Sequence, residues 1–246
     1  MTKPWFNALL LLLPSWALAH DPIFGLGPHV LYKGGVELAA EWHGEPDSNE
    51  SGLEITYGMT GDWALGAEIP LDGGDAGDSD LFSKYRFWRS DSLGVQKSAA
   101  WLLRYDGDRR TPAWVHGLAW GYESRRYYGW ASIRYRLPQE NGQDLKPGDA
   151  WRLDLVTGIR PWLTDYLEPD TVFMLELNGE GSQRARLEGT TLARSGGRRW
   201  FLSPGIFWTL RNFAIKAGVQ IPLSQRMNDP SLELDYRARL TLEWHY

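Results

Sequence analysis

The sequence predicts an all-β chain, a single up-and-down antiparallel transmembrane β-barrel of about twelve strands. Three observations predict it. Apolar and polar residues alternate with a period of two in segment after segment. Long polar links alternate with tight turns along the chain. Rings crowd the segment ends, with 14 Trp and 11 Tyr in 246 residues, and such amphipathic side chains suit a membrane interface.

The first residues read as an export signal. Lys3 gives a positive start, Phe6 to Leu13 is a short apolar run, Pro14 breaks it, and Ala17-Leu18-Ala19 fits the small-x-small rule for cleavage after Ala19. The run is too short for a spanning helix, which needs roughly 20 apolar residues. Residues 1–19 are therefore expected to be a signal peptide, 20–35 a periplasmic or plug segment, and 36–246 the barrel. Mean hydropathy is low at -0.41, which does not argue against a barrel, because only every second residue of its strands faces lipid.

Strand one spans 36–43, with Val36, Leu38, Ala40 and Trp42 opposite Glu37, Glu41 and His43. Strands two to five follow at 53–59, 63–71, 81–88 and 97–105. In the fifth, Ala99, Trp101, Leu103 and Tyr105 oppose Ser98 and Arg104. Strand six, at 114–123, shows no clear face. Strands seven to eleven lie at 127–137, 151–160, 171–178, 200–210 and 213–223. The twelfth runs from Tyr236 to Tyr246 and alternates throughout. Links at 44–52, 72–80, 138–150, 179–199 and 224–235 are long and polar, whereas 60–62, 124–126 and 211–212 are tight. Long loops on one rim and short turns on the other are an outer-membrane barrel pattern, and an even strand count puts both ends of the barrel on the short-turn side.

Alternation alone also fits a soluble sandwich or a lipocalin. Aromatics near the strand ends, segments of a length that crosses a bilayer when tilted, and an amphipathic final strand with a terminal aromatic decide for the membrane. The strand from Tyr236 to Tyr246 resembles the signal read by the barrel assembly machinery, the expected folding partner, with outer-membrane lipid as the surrounding partner. A net charge of -5 gives no reason to expect nucleic acid. The chain has no Cys, so neither disulfides nor thiolate metal sites are expected.

The polar faces supply the candidate pore lining. Its acids are Glu37, Glu41, Glu54, Glu68, Asp154, Glu176 and Glu243, with Glu123 beside them. Its bases are Lys84, Arg86, Arg104, Arg134, Arg136, Arg152, Lys216, Arg237 and Arg239, with Arg160 beside them. Such a set can make a permeation path with an arginine-rich wall or fill the lumen with cross-strand ion pairs. No His-x-Ser pair of the kind that activates a hydroxyl occurs in the sequence, so no enzyme and no cofactor are expected. Cleavage after Ala19 would free the amine of His20, and that amine, its imidazole and His29 could together hold Cu²⁺. The plainer reading of 20–29 is a tail or plug shaped by its glycines and prolines.

Short motifs carry a resemblance. They are Gly61-Asp62-Trp63-Ala64-Leu65-Gly66, Asp80-Leu81-Phe82-Ser83-Lys84-Tyr85-Arg86-Phe87, Ser203-Pro204-Gly205 and Ala217-Gly218-Val219-Gln220-Ile221-Pro222-Leu223. On these the chain resembles the outer-membrane channel-like proteins associated with the meta-pathway of phenol degradation. The resemblance implies a barrel and uptake of aromatic or other small molecules, and it implies no catalytic residues. The expected function is thus a channel or transporter for small solutes, aromatic or anionic compounds among them. The alternatives are a metal-associated barrel using the histidine leader, and a structural or surface-recognition barrel.

Overall fold

A computed structural model describes residues 21–71, 78–108, 111–140, 144–165 and 167–246. Residues 1–19, expected to be a signal peptide, and His20 lie outside the described residues. Twelve strands close into one antiparallel barrel. In chain order these are β1 (Val36–Glu45), β2 (Ser48–Gly58), β3 (Trp63–Pro70), β4 (Asp80–Ser92), β5 (Val95–Asp106), β6 (Ala113–Ser124) and β7 (Tyr127–Pro138). After the two-residue β8 (Leu145–Lys146) come β9 (Ala150–Ile159) and β10 (Asp170–Ser182). After β11 (Arg186–Leu187) and β12 (Thr190–Thr191) come β13 (Gly197–Leu210), β14 (Phe213–Met227) and β15 (Arg237–His245). The three two-residue strands form a small sheet of their own within the rim loops. Each barrel strand pairs with the next, and β1 pairs with β15 from Glu37↔His245 to Gly44↔Ala238, which closes the cylinder.

The alternation sorts the faces. Leu38, Ile55, Leu118, Ile133, Leu175 and Leu240 are exposed on the outside. Glu41, Arg86, Asp154, Glu176, Lys216 and Glu243 are buried inside. Apolar groups outside and charge inside invert the order of a water-soluble protein, and closure leaves no strand edge unpaired. Ring pairs such as Tyr105 with Trp114 and Phe213 with Trp244 lie toward strand ends, where girdles form.

Several segments read from the sequence as loops are sheet. The link at 44–52 is an extended hairpin, since β1 reaches Glu45 and β2 begins at Ser48. Likewise β10 runs on to Ser182 and β14 to Met227. In β10 the misleading residues are Gly179 and Gly181, which read as turn formers. The space above them is filled by the rings of Trp200 and Trp151, a way of restoring packing to strand glycines. The ambiguous strand, β6, turns Gly117, Ala119 and Gly121 inward and Trp114, His116, Leu118 and Trp120 outward. Its inner face is nearly bare of side chain because another segment occupies that space.

That segment is residues 21–35. Ile23 and Pro28 are fully buried, and Phe24, His29 and Leu31 nearly so. A Cβ on Gly117 would press on Leu26, one on Gly121 on Pro28, and one on Gly205 on Ile23. The segment is tied to the turn rim by hydrogen bonds from Gly34 N to Gly58 O and from Gly58 N to Gly35 O. Gly121→Val is therefore expected to push Pro28 off the wall. The measurement is limited proteolysis of the folded barrel in detergent. Faster cleavage within 21–31 with an unchanged β circular-dichroism spectrum is the expected result.

On the opposite rim the long loops are cross-braced. Arg194 donates from Nε and Nη2 to the Asp229 carboxylate, both at 3.0 Å. These bonds, with those from Ser231, hold the Asp229 pKa down to about 2.

Candidate functional site

The candidate site is the lumen, which divides into a filled half and an open half. The filled half lies toward the short turns. Tyr128 and Trp130 of β7, Val156 of β9, Val172 and Met174 of β10, Phe207 of β13 and Ala214 of β14 pack there around Ile23 and Phe24. Burying a side chain such as Ile or Phe contributes about 1.5–3 kcal/mol, so the inserted tip is held by substantial apolar contact.

A charged clamp completes the hold. Glu176 on β10 is 0% exposed. Its carboxylate accepts from Ile23 N at 2.7 Å, Phe24 N at 3.2 Å and Gly25 N at 3.0 Å. Three successive N–H groups make a concave anion-binding nest, here filled by a barrel side chain. The carbonyls of the same turn are taken by arginines. Arg134 donates to Phe24 O at 2.9 Å and Arg239 to Ile23 O at 2.8 Å. On the near side Lys84 pairs with Asp21 at 2.7 Å. His29 is buried with its Nε2 against Glu123, which also accepts from Trp130.

The open half faces the long loops. Arg239 is forked onto both oxygens of Glu41 at 2.7 Å. Asp154 accepts from Ser132, Arg134 and Asn178, each at 2.9 Å. Glu180 gathers three arginines: Arg199 at 2.5 Å, Arg237 at 3.4 Å and Arg152 at 3.5 Å. Because that carboxylate is shared, Arg152 remains 54% exposed although it points inward. A cavity of ≈ 210 Å³ lies here, lined by Phe24, by Arg134, Arg152, Arg237 and Arg239, and by Glu45, Glu50, Asp154 and Glu180. Across the rim a second cavity, of ≈ 370 Å³, is acidic, with Glu50, Glu68, Asp78, Asp80, Asp106 and Asp108 on its lining. Between the arginines of the first cavity and the acidic lining of the second, a small solute with charge would be oriented.

All of the lumen residues read from the sequence point inward, but they are not one group. Glu176, Asp154, Arg134, Arg239 and Glu41 surround the inserted tip. Arg152 and Arg237 meet at Glu180 above it. Arg104 bridges Glu68 and Asp80, and Arg136 meets Asp106 at 2.8 Å, on the acidic side. Glu37, Glu54, Lys216 and Glu243 lie low, with Lys216 on Glu243 at 2.6 Å. Arg86 stands apart at the turn rim, where it pairs with Asp62 at 2.8 Å.

Sequence reasoning missed Glu180 and Asn178, and the inward rings of Tyr128, Trp130, Phe201 and Phe207. Glu180 sits between Gly179 and Gly181 and so read as loop. The rings were missed because a polar interior was assumed along the full height of the barrel. Their signal was present in β7, where Tyr128 and Trp130 share a face with Arg134 and Arg136.

No family model matches the chain, and no curated protein sequence matches it. Solved structures do. The chain is similar to an outer membrane channel from Pseudomonas putida F1, at TM-score 0.63 and 13% identity, over 93% of this chain and 100% of that one. It is also similar to the NanC porin, at TM-score 0.55 and 9% identity, over 85% of this chain and 98% of that one. At such identities the likeness is one of fold: the chain has the architecture of outer-membrane channels and porins.

Proposed function

We propose that the protein is an outer-membrane channel for small solutes, with aromatic or anionic compounds as the favoured class. The observation that carries this reading is the cavity of ≈ 210 Å³ inside a closed barrel, where Arg134, Arg152, Arg237 and Arg239 share the lining with Glu45, Glu50, Asp154 and Glu180 beside Phe24, and where the Arg152 side chain stays 54% exposed. Charged side chains lining the inside of a closed barrel are the means by which pores select solutes. The resemblance to meta-pathway channel-like proteins supports an aromatic solute, and the porin-like fold supports passage itself.

In this reading the loop rim faces the exterior and the turn rim the periplasm. A solute enters at the loops, and an anionic group on it meets Arg152. The neighbouring Arg237 and Arg239 keep their own carboxylates but add positive field. Residues 21–31 close the periplasmic half as a plug, so passage requires their displacement or a shift beside them.

The test is ion selectivity in planar bilayers. Wild-type protein is expected to pass chloride and benzoate in preference to potassium. Arg152→Glu is expected to lower or reverse that preference, because it replaces the most accessible lumen cation by an anion beside Glu180. Equal selectivity in the two proteins would refute the arginine wall, and an absence of any conductance in wild type and in a plug-deleted variant would refute the channel.

A further inference from the structure

At the turn end of the seam between the first and last barrel strands, three side chains converge. Glu37 of β1 is the direct cross-strand partner of His245 of β15. Glu243 stands two residues before His245 on the same strand and therefore on the same inner face. One ligand atom from each of the three lies within 4.8 Å of the other two, and no other group of three or more such ligands occurs among the described residues. His245 Nδ1 is 3.2 Å from Glu37 Oε2, and His245 Nε2 is 3.9 Å from Glu243 Oε2.

A second observation points the cluster at a ligand. Glu243 is 4% exposed, and its Oε2 is buried without a hydrogen-bond partner among the described residues. A buried carboxylate oxygen left unpaired is costly, and this one is aimed at the imidazole. Its other oxygen is occupied by Lys216 at 2.6 Å. The charges facing the cluster leave an excess of acid. Lys216 offsets Glu243, Lys84 offsets Asp21, and among the described residues only the imidazole lies within ion-pair distance of Glu37. At Glu37 itself Glu243, Glu54 and Asp21 add negative potential, which Lys216 partly offsets. Glu37 also borders a cavity of ≈ 60 Å³, and a water takes about 30 Å³ of liquid volume, so solvent can complete a coordination shell.

We propose that Glu37, Glu243 and His245 form a site for a divalent first-row transition metal that bridges the closing seam of the barrel. One imidazole nitrogen and two carboxylate oxygens, without sulfur, suit ions such as Zn²⁺, Mn²⁺ or Co²⁺. Three protein ligands leave at least one position for water. An ion held here joins β1 to β15, where the barrel closes, and removes the unpaired oxygen of Glu243. This site is separate from the arginine wall of the open half and does not depend on what passes through it.

The test uses full-length protein folded in detergent, stripped with EDTA and titrated with Zn²⁺, with Co²⁺ as the spectroscopic probe. The expected result is one ion per chain, with visible d–d bands for Co²⁺ that Zn²⁺ displaces. Glu37→Gln and His245→Gln are each expected to weaken binding by about tenfold or more, and His116→Gln, on the outer face, to leave it unchanged. Folding of each variant is checked by heat-modifiable gel mobility. Lys216→Met gives the opposite sign: it removes a competing cation from Glu243, so binding is expected to tighten, an outcome that loss of structure cannot mimic. Absence of stoichiometric binding, or binding that survives both ligand substitutions in folded protein, would overturn the proposal.

Discussion

Glu176→Leu is expected to open the channel. In the native barrel the Glu176 carboxylate receives three backbone N–H groups of the inserted tip. Hydrogen bonds to a charged group contribute about 1.5–3 kcal/mol each, although three that share one carboxylate do not add in full. A loss of about 3 kcal/mol moves the docked-to-released ratio of residues 21–31 by about two orders of magnitude. The remaining contacts, Arg134 to Phe24 O and Arg239 to Ile23 O, hold carbonyls and leave the freed N–H groups facing leucine. Single-channel recording should show a severalfold rise in conductance or in open time. Deletion of residues 21–31 sets the upper limit, because it removes the plug outright. If that deletion leaves conductance unchanged, the segment does not close the path and the plug assignment fails. If only the deletion has an effect, Ile23 and Phe24 packing holds the tip and Glu176 is secondary.

Leu118→Arg is the second large effect expected. Leu118 lies midway along β6, points outward and is half exposed. Its cross-strand neighbours are Trp101 and Ile133, both outward-facing. In a bilayer this puts an arginine near the midplane of the apolar band, at a cost of about 2–4 kcal/mol. Leu137→Arg is outward as well but stands at the loop end of β7, beside Trp114. There the cost falls to about 0–1 kcal/mol, since the guanidinium reaches the headgroups. Reversible urea unfolding in vesicles measures both. A steep difference between the two positions is the signature of lipid on that face. Equal and small costs would mean that water surrounds the barrel.

The barrel itself was legible in the sequence because strand period and face chemistry act together. Residue by residue, the alternation of β15 from Arg237 to His245 leaves no other way to sort lipid from lumen. Legibility fails where side chains carry no contrast. The inner wall of β6 is glycine and alanine because Leu26 and Pro28 fill the space, and that partner is about ninety residues away in sequence. The extent of β10 was hidden for a related reason, as glycine in a strand looks like a turn until the tryptophan covering it is known. The inward direction of the candidate lumen residues follows from parity alone. Their division into a plug clamp, an arginine wall and a seam cluster does not, because it depends on height along the barrel and on the path of residues 21–35.

The pairing of β1 with β15 also bears on biogenesis. Eight consecutive residue pairs join parts of the polypeptide that leave the ribosome some two hundred residues apart. Until they meet, the growing sheet carries two bare edges, and such edges recruit any extended strand within reach. Contacts of such long sequence separation are also slow to form. A chain interrupted anywhere before Arg237 is therefore expected in aggregates or degraded rather than inserted, and the full chain is expected to stay unfolded until it reaches the membrane.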